Sequence, residues 1–168
     1  MNIVLHEPEI PFNTGNIGRT CVVTGTALHL IKPLGFDTDE KAIRRSGLDY
    51  WRELDVRYYE NFEEFIYINE LKNGDRLYMA TTKAKNIYSD MSFSKNDFIM
   101  FGKESAGIPE EILVEYPRSA IRIPMLENKR SINLSNSVAI VLYEALRQNS
   151  FPGLKKTGGL HRLSWPLT

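Results

Sequence analysis

Three short polar segments carry most of the chemically useful side chains in this sequence. Residues 13–20 read NTGNIGRT, residues 101–109 read FGKESAGIP and residues 124–137 read PMLENKRSINLSNS. Each mixes Gly, Ser or Asn with a charged residue. Small residues let a ligand approach the backbone, whose N–H groups then serve as donors. Arg19 adds a permanent cation with a fork of N–H donors, suited to a phosphate or a developing oxyanion. Ser131 and Asn133 add neutral hydrogen-bonding groups just before an apolar run. Taken singly, each has a plainer reading. Asn13 or Thr14 could cap one helix and Ser131 or Asn133 another. Gly102 and Gly107 could be turn residues, and Arg19 a surface charge. Three such segments at the ends of three predicted strands are more than turns and caps require.

Other chemistries are excluded by the same inspection. There is no GxxxxGK[ST] and no GxGxxG; Gly15 and Gly18 form only a GxxG, without the basic flanks of a KH loop. His6, His29 and His161 all lie outside the three segments, and no GxSxG is present, so a Ser-His-Asp arrangement is not expected. Cys21 is the single cysteine. It allows no internal disulfide, and with three scattered histidines no metal cluster is expected. Its plain reading is a small buried helix residue.

The elements that must position these segments alternate. Strands are predicted at 2–6, 28–32, 55–59, 76–81, 97–102 and 120–124. Helices are predicted at 14–26 (Ile17, Cys21 and Val22 inward), 39–47, 61–72 (Asn61 as N-cap), 109–116 (Pro at its start) and 133–148. The last has an apolar stripe of Leu134, Val138, Val141, Leu142 and Ala145. Strand–helix alternation predicts an α/β fold with a mostly parallel sheet flanked by helices. In such sheets ligands bind beyond the carboxyl ends of the strands, where the three polar segments fall.

With 168 residues, one domain is expected. There is no repeat, and the basic, Gly/Pro-containing end at 154–168 is expected to be loosely ordered. No run of about 18 apolar residues is present, nor a signal peptide, so a cytoplasmic protein is expected. The 21 basic and 21 acidic residues balance. That does not advertise a nucleic-acid binder, but local basic groups remain: Arg44 with Arg45, Lys83 with Lys85, Lys129 with Arg130, and Lys155 with Lys156.

The three segments, in this order, resemble the motifs of the SPOUT superfamily of RNA methyltransferases. The likeness spans about residues 1–153 and includes NIVLHEPEIPFNTGN and GFDTDEKAIRRSGLDYW. It is strongest to the small tRNA (cytidine/uridine-2′-O)-methyltransferases that act on the wobble nucleotide of the anticodon. The resemblance implies a deep C-terminal trefoil knot, a homodimer, and S-adenosylmethionine bent into the knot, with no metal. It places Ala80, Thr81, Gly102, Glu104, Ile123, Met125, Ser131 and Leu134 at the cofactor, with Thr82 beside them. It gives Arg19, Ser131 and Asn133 catalytic roles. Asn13, Arg19, Arg44, Arg45, Lys83 and Arg130 would meet the RNA, with Arg52 and Lys129 nearby. Arg19 would act as base or as an electrostatic group; a guanidinium pKa above about 12 favours the second. Two other readings stay open: a related RNA target, such as another tRNA position or ribosomal RNA, and a knotted tRNA-binding protein without turnover.

Overall fold

Successive residues of a strand point to opposite faces of a sheet, and the strand sequences here feed two separate cores. In β1 (Asn2–His6), Ile3 and Leu5 join one core while Val4 joins the other. β2 (Ala27–Ile31) sends Leu28 and Leu30 to the first and Ile31 to the second. β6 (Phe98–Phe101) sends Ile99 and Phe101 to the first, Phe98 and Met100 to the second. Strands buried on both faces read as continuous apolar runs, which is how parallel sheets read.

The computed structural model describes residues 1–37 and 49–166. With β3 (Val56–Tyr59), β4 (Leu77–Ala80), β5 (Asn86–Ile87) and β7 (Ala120–Arg122), these strands form one sheet in the order β3-β2-β1-β6-β4-β7-β5. Every pairing among them is parallel. The first core lies under α1 (Pro11–Thr24) and α4 (Leu134–Gln148), which also pack on each other. The second lies under α2 (Phe62–Ile68) and α3 (Glu110–Glu115). On α4 the buried residues are Val138, Val141, Leu142, Ala145 and Leu146, a helical stripe that exceeds the predicted one by Leu146. Leu134, expected within it, is only half-buried.

The departures have local causes. The first helix begins at Pro11 rather than residue 14, because proline fits the first helical position without losing a needed N–H. Asn13 and Thr14 therefore lie inside its first turn and do not cap it; the N-cap is Ile10. Gly25, at φ 63°, ends the helix in the left-handed conformation. Asn61 caps α2 as expected, its side chain accepting from the Glu64 N–H. That helix stops at Ile68, four residues short of the prediction; Glu70 turns at φ 55° and Leu71 still reaches the core. β5 has two residues, too few for any pattern to announce it. The helix predicted at 39–47, with Arg44 and Arg45, lies outside the described residues.

Candidate active site

The carboxyl ends of β4, β6 and β7 open on a cavity of about 700 Å³. All eight positions expected to hold a cofactor line it: Ala80, Thr81, Gly102, Glu104, Ile123, Met125, Ser131 and Leu134. Asn13, Thr82, Lys83, Arg130 and Asn133 line it as well. Ile123, Met125 and Leu134 supply half-buried apolar surface, and Ile123 and Leu134 rest against the first core. The volume is within the range of about 300–1,000 Å³ usual for small-molecule sites.

Hydrogen bonds tie the three loops together around this cavity. The Glu104 carboxylate accepts from the backbone N–H of Glu9 at 2.8 Å and of Ile10 at 3.3 Å, and from the Asn13 side chain at 2.9 Å. It thus satisfies N–H groups at the start of α1, where no local side chain does, and places negative charge at the positive end of that helix. Glu9 returns the arrangement: its carboxylate accepts from the Ser105 N–H at 2.9 Å and the Ser105 hydroxyl at 2.8 Å. Those bonds hold the Glu9 carboxyl below its usual range. Asn133 caps α4 through its oxygen, accepting from Ser135 and Asn136, and donates its amide to Asn13 at 3.0 Å. The first, second and third polar segments are therefore joined in series by Glu104, Asn13 and Asn133.

At two glycines the space a Cβ would take is filled by the protein itself, although Gly102 also lines the cavity. A Cβ on Gly102 would lie 2.0 Å from the Gly107 carbonyl carbon and 2.2 Å from the Ile108 nitrogen. Loop 103–107 folds back on itself there, with Gly107 N–H donating to the Lys103 carbonyl at 2.8 Å. Gly18 is buried, and a Cβ on it would meet the Trp51 ring at 3.1 Å. The expectation that NTGNIGRT keeps small residues so that a nucleotide can come close is thus corrected for Gly18.

Arg19 does not line the cavity. It lies six residues beyond Asn13 on α1, which is about 240° round the helix. Its guanidinium sits 4.8 Å from the centre of the Tyr50 ring. The exposed stripe of α1 is Phe12, Asn16, Arg19 and Val23, with Phe12 80% and Val23 61% exposed. Lys83 is paired with Glu110 at 2.9 Å. Arg52 and Lys129 are exposed and stand outside the cavity wall. Cys21 is fully buried and its thiol is pushed up to about 12 by desolvation, so it serves as packing and not as a nucleophile. Among the described residues no group of His, Cys, Asp and Glu is arranged to hold a metal ion.

A model of the SpoU rRNA methylase family matches residues 1–143. The chain belongs to that family. A relative from Escherichia coli (strain K12), named tRNA (cytidine(34)-2′-O)-methyltransferase, is 47% identical over 154 residues, covering 91% of this chain and 96% of its own. A solved structure described as giving insights into the 2-OH methylation of C/U34 on tRNA is 38% identical with a TM-score of 0.80, covering 89% of this chain and 95% of that one. The SpoU methyltransferase AviRb from Streptomyces viridochromogenes, solved in complex with AdoMet, shares the fold at a TM-score of 0.76 and 22% identity, over 89% of this chain and 58% of its own.

Within this SpoU chain, sequence reading passed over Glu9, Lys103, Ser105, Tyr50 and Trp51. Lys103 lines the cavity and pairs with Glu7 at 2.8 Å. Two glutamates in EPEIP give no sign that the Glu9 carboxylate will hold a loop 96 residues later. Replacing Glu104 by Gln keeps the shape but turns one acceptor oxygen into a donor facing N–H groups. We expect a loss of about 1 kcal/mol in urea unfolding, the cost of an unmatched polar contact at a part-buried site. An unchanged midpoint would show that the carboxylate does not hold the loops.

Proposed function

We propose that this protein transfers a methyl group from S-adenosylmethionine to the ribose 2′-hydroxyl of the wobble nucleotide of tRNA, either a cytidine or a modified uridine. The observation that carries the reading is the convergence of all three motif loops on one half-apolar cavity at the strand ends. The near end-to-end likeness to a tRNA (cytidine(34)-2′-O)-methyltransferase supports the substrate.

The residues present suit the cofactor. Ile123, Met125 and Leu134 give the apolar walls an adenine ring needs, and the loops at Thr81 and 102–107 bring backbone groups to its rim. When bound, S-adenosylmethionine supplies an electrophilic methyl group on a sulfonium. The protein's own task is alignment and charge. Holding the ribose oxygen in line can supply about 7–11 kcal/mol of the barrier. Asn133 and Asn13 brace the cavity wall, and Ser131, which is exposed on that wall, is placed to orient the ribose. Arg19 stabilises the charge that develops on the 2′-oxygen or clamps the neighbouring phosphate. Lys83 and Arg130 on the rim face the RNA backbone.

Because Arg19 points away from its own cavity, it reaches a reacting oxygen in a second copy. A homodimer is supported by the exposed Phe12 and Val23 beside it on α1 and by Tyr143, 45% exposed, on the adjoining α4. The trefoil knot is supported by the sheet order, in which β7 returns between β4 and β5 before α4 packs back on α1. The protein would work in the cytoplasm, where tRNA is; among the described residues no helix is long and apolar enough to cross a membrane.

An anticodon stem-loop RNA tests the reaction site. With a ribose at the wobble position it should accept a labelled methyl group, and with a 2′-deoxyribose there it should not. Equal labelling of both would overturn the 2′-oxygen as acceptor. tRNA binding should weaken steeply from 50 to 200 mM salt, since it rests on phosphate contacts. Affinity that hardly changes over that range would remove Lys83, Arg130 and Arg19 as backbone contacts.

A further inference from the structure

Arg19 lies against an aromatic ring. Among the described residues it has no ion pair, and its guanidinium lies over the face of Tyr50 at 4.8 Å. Tyr50 is itself fixed. Its hydroxyl donates to the carbonyl of Gly15 at 2.6 Å. Gly15 stands one helical turn before Arg19, so the ring runs along α1 beneath the arginine. The 3-10 turn that carries Tyr50 (Asp49–Glu53) is seated on α1 by its neighbour, whose ring occupies the space left by Gly18. Tyr50 and Trp51 thus use the two glycines of NTGNIGRT, one as hydrogen-bond acceptor and one as a seat.

We propose that Tyr50 is a positioning residue for Arg19. A carboxylate partner would neutralise the guanidinium and use its edge donors. A ring against one face restrains the side chain, keeps its charge, and leaves the N–H edge free for a ribose oxygen or phosphate. The cation is then pre-aimed and undiminished when RNA arrives. The inference rests on the reading of Arg19 given above.

The test compares Tyr50→Phe, Tyr50→Leu and Arg19→Ala in the full chain. Each is assayed for single-turnover methyl transfer at saturating tRNA and S-adenosylmethionine, for cofactor affinity and for the Arg19 Nε–H resonance by NMR. Tyr50→Phe keeps the ring and should stay within about threefold of the parent rate, with the ring-shifted resonance retained. Tyr50→Leu should lose the ring shift and about tenfold in rate, with cofactor affinity within about twofold. A Tyr50→Leu rate equal to the parent, with Arg19→Ala inactive, overturns the role of Tyr50 alone. Equal losses in Tyr50→Phe and Tyr50→Leu overturn it too, since the Gly15 bond would then be what matters. Full turnover by Arg19→Ala overturns the reading of Arg19, and the role of Tyr50 with it. If Tyr50→Leu unfolds, Tyr50→Phe and the parent resonance still decide: no ring shift in the parent contradicts the contact.

Discussion

Arg19→Ala is expected to remove methyl transfer, by at least about 10²-fold in rate, while cofactor affinity and thermal stability stay near those of the parent. The size follows from removing a donor aimed at charge that develops in the transition state. The small structural cost follows from the exposure of Arg19 and its lack of an ion pair among the described residues. Lysine should not restore the rate, because it offers a point charge without the guanidinium fork. The position of Arg19 outside its own cavity adds a sharper expectation. An Arg19→Ala subunit has an intact cavity, whereas a subunit disabled at the cavity keeps its arginine. Mixed and re-equilibrated in equal amounts, two inactive proteins should regain roughly a quarter of parent activity, since half the dimers are mixed and each holds one complete site. No recovery in dimers shown to have exchanged would place Arg19 and the cofactor in the same subunit.

The second large effect belongs to Gly102. Alanine there puts a Cβ 2.0 Å from the Gly107 carbonyl carbon, and the obstructing atoms are backbone, which has nowhere to go. Gly102→Ala should cost about 3 kcal/mol or more in urea unfolding, at the upper end of overpacking effects, and weaken cofactor binding at least tenfold. Gly158→Ala makes the control, because nothing lies within 4 Å of the added carbon. Parent-like stability and binding for Gly102→Ala would mean that loop 103–107 does not fold back against it. The variant, if it folds, also supplies the disabled cavity for the mixing experiment.

Much of this was legible in the sequence because the relevant physics is local. Val138, Val141, Leu142 and Ala145 recur at helical spacing, and the short apolar runs NIVLH and FIMF, set in a strand–helix alternation, read as buried strands of a parallel sheet. That Ala80, Gly102, Ile123 and Leu134 would share a site came from the family resemblance; three of them end or follow strands and Leu134 opens α4, and all four line one cavity. What stayed hidden was what links distant segments. Glu9 with Ser105, Glu104 with the start of α1, and Tyr50 with Gly15 are all pairings set by strand order, not by spacing. Glu104, Asn13 and Asn133 were expected to meet ligands; their side chains are largely engaged with one another and with backbone, so they shape the cavity wall. The reading of glycine as an opening for ligand failed at Gly18, whose Cβ space is taken by Trp51; Gly102 lines the cavity, and its missing Cβ makes room for the 107–108 backbone as well. A missing Cβ does not say which neighbour takes the space.

The central claim is 2′-O-methylation of the wobble ribose. Its most direct test is methyl transfer from S-adenosylmethionine to bulk tRNA from a strain lacking this activity, with the nucleosides identified and mapped by mass spectrometry. The account predicts a gain of 2′-O-methylcytidine or a 2′-O-methylated uridine at the wobble position and nowhere else. A methyl group mapped to another nucleotide, or to a base, or no product from protein that binds the cofactor, would contradict it.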